Sequence, residues 1–171
     1  TPPEVQPWPL GTPDETLEVS GSVIIPAEGD GTLHTLVLPI DFGEPRHLIA
    51  SQFLPSTPRA LHGVGWLFDT SGHGLRADPG FPGSGYRDMG GAGMNTIGSL
   101  GGWVPGRNAI PLLEDYSFLV EGKGAILVQL HLNGTGKPER ESSKLGLYYS
   151  EEPRKKNVID FIMGSLLMDI D

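Results

Sequence analysis

The clearest alternation of side chains in this chain runs through residues 124–132, GAILVQLHL. Successive side chains of a strand point to opposite faces, so the even positions 126–132 (Ile, Val, Leu, Leu) share one wholly apolar face. The odd positions 125–131 form the other face, which ends in His131. The pattern therefore predicts a strand buried on one side, with a single imidazole near the end of the other side. A histidine in that place is either a structural hydrogen-bonding group or a metal ligand.

Further strands are predicted at short, regular spacing, with proline or glycine between them. They cover residues 16–25, 33–40 (broken by Pro39), 46–54, 60–68, 116–120, 143–149 and 158–168. The last segment also has apolar residues at helical spacing, but Gly164 and its β-branched and aromatic residues favour a strand. Many short strands with turn residues between them predict an all-β fold, an antiparallel β-sandwich or barrel.

Residues 71–106 interrupt this pattern. The segment is rich in glycine and contains Phe81, Tyr86, Met89, Met94 and Trp103. A stretch of this length without regular structure is usually functional or packed on itself, so we expect a long Gly-rich loop insertion.

Both ends of the chain are unusual. Residues 1–14 contain five prolines (Pro2, Pro3, Pro7, Pro9 and Pro13) and predict an extended lead-in that can lie on a surface. Residues 15–171 are expected to form a single β-sandwich domain. Because the sequence has no initiator methionine and no signal segment, we expect it to be excised from a longer protein.

Composition excludes several classes of function. The net charge of −9 argues against a nucleic-acid partner, which needs clustered lysine and arginine. The absence of cysteine excludes thiolate metal sites and cysteine catalysis. No apolar run is long enough for a transmembrane helix.

The polar residues contain no local metal motif. The five histidines, at 34, 47, 62, 73 and 131, form neither H-x-H nor H-E-x-x-H, so a metal site would have to be assembled across strands. Alternation places His62 on one face with Val64, Trp66 and Phe68, where a structural histidine is the commoner case. The acidic residues near the end of the chain flank turns and are expected to be solvated: Glu139, Glu141, Glu151 and Glu152.

Several segments together resemble the N-terminal domain of the copper type II, ascorbate-dependent monooxygenases, the peptidylglycine α-hydroxylating family and its bacterial relatives. They occur in the family's order and cover nearly the whole chain. The segments are 8–14 (WPLGTPD), 38–41 (LPID), 60–63 (ALHG) with 67–69 (LFD), 101–106 (GGWVPG), 127–132 (LVQLHL) with 135–139 (TGKPE), and 145–149 (LGLYY).

The resemblance implies a jelly-roll β-sandwich that holds one copper, in an extracytoplasmic protein whose second, similar domain holds another. In the family an adjacent His-His pair and a later strand histidine bind the first copper. The first of the pair falls on His62 and the strand histidine on His131, whereas the second of the pair falls on Gly63, which cannot bind metal. The oxygen-activating copper uses an H-x-H motif and a methionine in the second domain, so this chain alone is not expected to hydroxylate a substrate.

Two hypotheses follow. In the first, His62 and His131 converge across strands and hold an incomplete electron-transfer copper site, with water, His73, Met89 or Met94 as candidate further ligands. In the second, the chain is a non-catalytic β-sandwich, a binding or assembly module that has lost its metal and presents the aromatic-rich loop 81–103, including Trp103, to a partner. The partner implied in either case is the second monooxygenase-like domain or another protein module.

Overall fold

Two five-stranded sheets face each other across an apolar core in the computed structural model, which describes residues 8–18, 23–29, 31–78, 80, 85–88 and 98–159. The strands are β1 (Glu15–Glu18), β2 (Val23–Ile25), β3 (Thr32–Asp41), β4 (Arg46–Leu54), β5 (Leu61–Asp69), β6 (Tyr86–Asp88), β7 (Ser99–Trp103), β8 (Tyr116–Val120), β9 (Lys123–Leu132), β10 (Glu139–Glu141), β11 (Lys144–Ser150) and β12 (Lys156–Asn157). A 3₁₀ turn (Pro58–Ala60) precedes β5, and a short helix α1 (His73–Ala77) follows it.

The first sheet has the strand order β1-β11-β4-β8-β12, and the second has the order β6-β3-β9-β5-β7. Strands β10 and β2 form a separate pair. All described pairings are antiparallel except that of β12 with β8. The predicted all-β antiparallel sandwich is therefore confirmed, while its jelly-roll connectivity stays a prediction.

Strand β9 is the central strand of the second sheet, and its two faces pack in different hydrophobic clusters. The side chains of Ile126, Val128, Leu130 and Leu132 are buried in the main core between the sheets, as the alternation predicts. On the opposite face, Ala125 and Leu127 pack in a smaller cluster with Leu75 of α1 and Tyr86 of β6. The end of that face, at Gln129 and His131, is only half-buried.

Two strand predictions need correction. Residues 16–25 do not form one strand, since β1 pairs with β11 in the first sheet and β2 pairs with β10. Strand β3 is not broken at Pro39, which pairs with Ala125 of β9. Its other neighbour β6 pairs only with residues 33–35, so no described strand needs an N–H from Pro39 on that side.

The glycine-rich segment 71–106 contains regular structure that its composition hides. It includes α1, β6 and β7, and the last of these pairs with β5. Glycine is required inside β7 because a Cβ at Gly101 would lie 2.6 Å from the indole of Trp66, and the φ of Gly101 is +154°. The prediction of a long loop is therefore wrong for these elements, while residues 79, 81–84 and 89–97 lie outside the described residues.

The described part of the lead-in lies on β11. The hydroxyl of Tyr148 donates a hydrogen bond to the Gly11 carbonyl at 2.9 Å, and the Asp14 N–H donates to the Leu147 carbonyl at 3.0 Å. At the other end, most of the strand predicted at 158–168 lies outside the described residues. No helix in the described part of the chain is long and apolar enough to cross a membrane.

Candidate metal centre

His131 stands on the outer face of the second sheet, near the end of β9. Its partners across the ladder are Leu33 on β3 and Gly63 on β5. The turn between β2 and β3 lies against the imidazole, since a Cβ built at Gly31 would be 3.4 Å from His131 Nε2. Gly31 has a φ of +67°, so a glycine suits both the turn and its approach to the ring.

His62 reaches the same face through a β-bulge. Leu61 pairs with Leu132 and Gly63 pairs with His131, so His62 is one extra residue in β5 with no partner of its own on β9. Strict alternation would turn His62 toward the core with Val64 and Trp66, as the sequence predicted. That prediction is wrong, because the bulge shifts the register and leaves His62 exposed.

The two imidazoles that the sequence singled out meet at this bulge. Their ring centroids are 5.2 Å apart and their planes are inclined at 82°. Metal–nitrogen bonds of about 2.0–2.1 Å to one shared ion place two imidazole centres roughly 5–6 Å apart, so this spacing fits two ligands of one metal. Imidazole nitrogens are ligands that copper accepts in both of its common oxidation states.

Residue 63, where the resemblance implies a third ligand, adjoins the pair. Gly63 faces His131 directly across the ladder, and a Cβ built at Gly63 would lie 3.6 Å from Trp103 O and from Val104 Cγ1. Both are ordinary van der Waals distances, so the backbone leaves room for a side chain there. Among the described residues, no group of three or more histidine, aspartate or glutamate side chains could hold a metal ion.

Of the further side chains predicted as metal ligands, His73 alone lies in the described part of the chain. His73 begins α1, behind the far end of β5, where its ring centroid is 6.5 Å from that of Tyr86. Helix α1 packs over the outer face of the sheet at Leu127, but among the described residues no third histidine, aspartate or glutamate joins the imidazole pair in a metal-binding group, so His73 is not a ligand in this arrangement. Met89 and Met94 lie outside the described residues.

The two remaining histidines belong to other surroundings. His47 lies in the first sheet, where its Nδ1 is 2.8 Å from Ser117 Oγ and accepts a hydrogen bond from the Arg154 N–H at 3.4 Å. His34 lies on β3 opposite Leu130, one position along the ladder from His131. Neighbouring positions of a strand point to opposite faces, so His34 does not join the imidazole pair.

Trp103, proposed as a recognition residue on a loop, is instead the last residue of β7. Its ring lies 6.0 Å from that of Phe53, centroid to centroid, and it packs against the main core. A substitution of Trp103 would therefore disturb packing as well as any surface.

Two carboxylates bind the segment that leads into β5, although the sequence predicted that both would be solvated. Glu141 is only 1% exposed, and it accepts hydrogen bonds from the backbone N–H groups of Ser56 and Thr57, each at 2.8 Å, and from the Ser143 hydroxyl at 2.6 Å. Ser56 and Thr57, which lie between β4 and β5, are more than eighty residues away from Glu141 along the chain. No local sequence signal could therefore have found this contact.

Glu139 is the second missed carboxylate, and its side chain is 12% exposed. It accepts a hydrogen bond from the Thr135 hydroxyl at 3.0 Å, forms an ion pair with Arg59, and lies 3.8 Å from the Lys137 ammonium. Desolvation by burial raises the pKa of Glu139, but the hydrogen bonds from Thr135 and Arg59 and the two positive charges outweigh it. The pKa therefore lies below its ordinary value.

A scan against protein-family models gives no match, and a search of the curated proteins gives none either. The resemblance to the copper monooxygenase domain consequently rests on the segments quoted above and remains a prediction.

Proposed function

We propose that this chain is a copper-binding β-sandwich domain in which His62 and His131 hold one copper ion. The observation that carries the proposal is the imidazole pair at the bulge, with ring centroids 5.2 Å apart. These are the two positions at which the resemblance implies copper ligands. A bulge that turns a single histidine toward another histidine is also the kind of local distortion that recurs at functional sites.

The chemistry of the donor set favours a soft or borderline metal. Two neutral imidazoles without a carboxylate suit copper or zinc and do not suit magnesium or calcium, which take oxygen ligands. Copper bound there would change between its cuprous and cupric states and so would give or take one electron. The remaining positions on the metal would be open to water or to another small ligand.

By itself, this centre supports electron transfer and not hydroxylation. The resemblance assigns oxygen activation to a second copper held by an H-x-H motif, and this sequence contains no such motif. The partner we propose is the second monooxygenase-like domain of an extracytoplasmic parent protein. The jelly-roll connectivity belongs to the same proposal.

Copper stoichiometry tests the proposal. The chain is loaded with cuprous copper under ascorbate, desalted, and assayed for copper per chain by atomic absorption. We expect about one copper in the wild type and strong loss in both His62→Ala and His131→Ala, because neither imidazole alone retains the metal.

His47→Ala is the matched control, since it removes a histidine from the other sheet. It is expected to retain the wild-type stoichiometry. Equal copper in the wild type and in His131→Ala would contradict the proposal.

A further inference from the structure

The pairing of β5 with β9 has few hydrogen bonds near His62 and His131. The bulge at His62 interrupts the pairing of β5 with β9, and only Leu61, paired with Leu132, continues the strand ladder beyond it. One more backbone hydrogen bond follows, from the Asn133 N–H to the Ala60 carbonyl at 3.0 Å. Strand ends with so few bonds tend to fray, and fraying here would separate the rings.

Four side chains connect the segments next to these ends of β5 and β9. Arg59, three residues before His62, forms an ion pair with Glu139, and Thr135, four residues after His131, donates a hydrogen bond to the same carboxylate oxygen at 3.0 Å. Lys137 adds a second positive charge at 3.8 Å. We name Arg59, Thr135, Lys137 and Glu139 the clasp.

The clasp is itself anchored from a third element. Glu139 is the first residue of β10, where it pairs with Ile25 of β2. Two residues later, the buried Glu141 holds Ser56 and Thr57, which lead into the 3₁₀ turn that carries Arg59. The turn before β3 is tied to the same region by hydrogen bonds from the N–H groups of Gly134 and Gly136 to the carbonyls of Gly29 and Ala27, each at 2.9 Å.

We propose that Glu139 is a positioning residue, which holds the ends of β5 and β9 together and thereby sets the spacing of His62 and His131. The expected effect on copper affinity rests on the proposed function. The expected effect on the spacing of the two imidazoles concerns the metal-free chain. Glu139 does not touch either imidazole in this arrangement and acts only through the backbone of the two strand ends.

The effect on stability and the effect on the site are separable. Arg59 is 60% exposed at its side chain, and exposed ion pairs contribute little to the free energy of folding. Arg59→Ala should therefore leave the melting temperature nearly unchanged, whereas Glu139→Ala should lower it, because the Glu139 side chain is only 12% exposed and also accepts the hydrogen bond from Thr135. The distance between the imidazoles should nevertheless become less well defined, and residues that orient metal ligands commonly change metal affinity by about 10–100-fold.

Copper affinity is measured by competition with a chromophoric cuprous chelator in Glu139→Ala, Glu139→Gln and Arg59→Ala. We expect about a tenfold weaker affinity in Glu139→Ala and in Arg59→Ala. Glu139→Gln should lie between these variants and the wild type, because the amide keeps an acceptor for Thr135. The matched control is Glu18→Ala, which removes an exposed glutamate paired with Lys144 in the other sheet. Equal affinities in Glu139→Ala and Glu18→Ala would overturn the inference.

A second measurement needs no metal. Proton NMR of the metal-free chain should show a nuclear Overhauser effect between the two imidazole rings. The effect should weaken in Glu139→Ala and Arg59→Ala but persist in Glu18→Ala, and an unchanged effect in all three would overturn the inference. A wild type that shows this effect and binds no copper would defeat the proposed function, while the positioning role would stand or fall on the NMR result.

Discussion

At the scale of single residues, Gly63 determines how many side chains the proposed copper site can offer to a metal. It is the direct cross-strand partner of His131, and directly paired residues of an antiparallel ladder project from the same face. The absence of a side chain at this one position leaves two imidazoles where the family resemblance implies three. The proposed site thus lacks its third imidazole because of one side chain and not because of the backbone, which could accept a Cβ without a close contact.

Restoring a histidine at this position tests the assignment. We expect Gly63→His to bind copper at least about tenfold more tightly than the wild type, since even residues outside the ligand set change affinity by that factor. Competition with a chromophoric chelator measures the gain. Gly63→Ala is the matched control and should fold and bind as the wild type does. A folded Gly63→His with unchanged affinity would show that position 63 does not face the metal.

At the scale of elements, the turn between β5 and α1 depends on a buried carboxylate. Asp69 is fully buried and accepts hydrogen bonds from the Ser71 N–H at 2.8 Å, the Ser71 hydroxyl at 2.6 Å and the Gly74 N–H at 2.9 Å. Desolvation by burial raises the pKa of Asp69. The hydrogen bonds from Ser71 and Gly74 and the nearby His73 together outweigh it, so the pKa lies below its ordinary value.

This pKa shift makes part of the stability dependent on pH. A carboxyl whose pKa is lower in the folded chain stabilises the fold fully above its unfolded pKa, which is about 3.9, and the contribution is lost as the pH falls through the folded pKa. We expect Asp69→Asn to lower the free energy of unfolding by about 2 kcal/mol at pH 7, since the hydrogen bonds involve a charged acceptor. The difference from the wild type should shrink below about pH 4.

Urea unfolding at pH 7 and at lower pH measures this difference. Asp115→Asn is a suitable control, because Asp115 is 48% exposed at its side chain and pairs with the exposed Lys155. Its effect should be within about 0.5 kcal/mol at every pH. A pH-independent loss in Asp69→Asn would mean that the charge of Asp69 does not contribute.

At the scale of the whole molecule, the lead-in is part of the outer surface of the first sheet. A Cβ built at Gly146 of β11 would lie 2.6 Å from Pro13 Cγ and 2.9 Å from the Trp8 ring. The glycine therefore creates the space in which residues 8–14 lie. Three hydrogen bonds join the segment to β11: the Tyr148 hydroxyl donates to the Gly11 carbonyl, the Asp14 N–H donates to the Leu147 carbonyl, and the Tyr149 N–H donates to the Asp14 carboxylate at 2.7 Å.

Removing the lead-in should expose the role of this glycine. We expect residues 15–171 to be less stable than the full chain by about 3 kcal/mol or more, from the three lost hydrogen bonds at about 1 kcal/mol each and the lost apolar contact. Gly146→Ala should destabilise the full chain, because the new methyl group displaces Pro13. In the shortened chain the same change should be neutral or slightly stabilising, since alanine loses less backbone entropy than glycine. Urea unfolding of the four proteins measures this, and equal effects of Gly146→Ala in both lengths would contradict the packing.

How far the structure could be predicted depended on the local pattern. Strands β4 and β8 begin and end at the predicted residues, and β9 differs by one, because each buries one side against a core and so shows regular alternation. The strand β7 was missed because two of its five residues are glycines, which are depleted in strands, and Gly101 is needed for the close approach of Trp66. The short strands β10 and β12 have too few residues to show any period.

The sequence by itself determined the all-β class, the apolar face of β9 and the choice of His62 and His131 as the histidines of interest. Only the tertiary structure decided that the two rings meet, since the bulge that turns His62 outward arises from pairing with β9 and leaves no mark in local alternation. The same holds for the long-range contacts of Glu139 with Arg59 and of Glu141 with Ser56 and Thr57, which join residues about eighty positions apart along the chain. Local patterns record which side of a strand is buried, whereas contacts between distant segments depend on register and loop path, which the completed fold alone specifies.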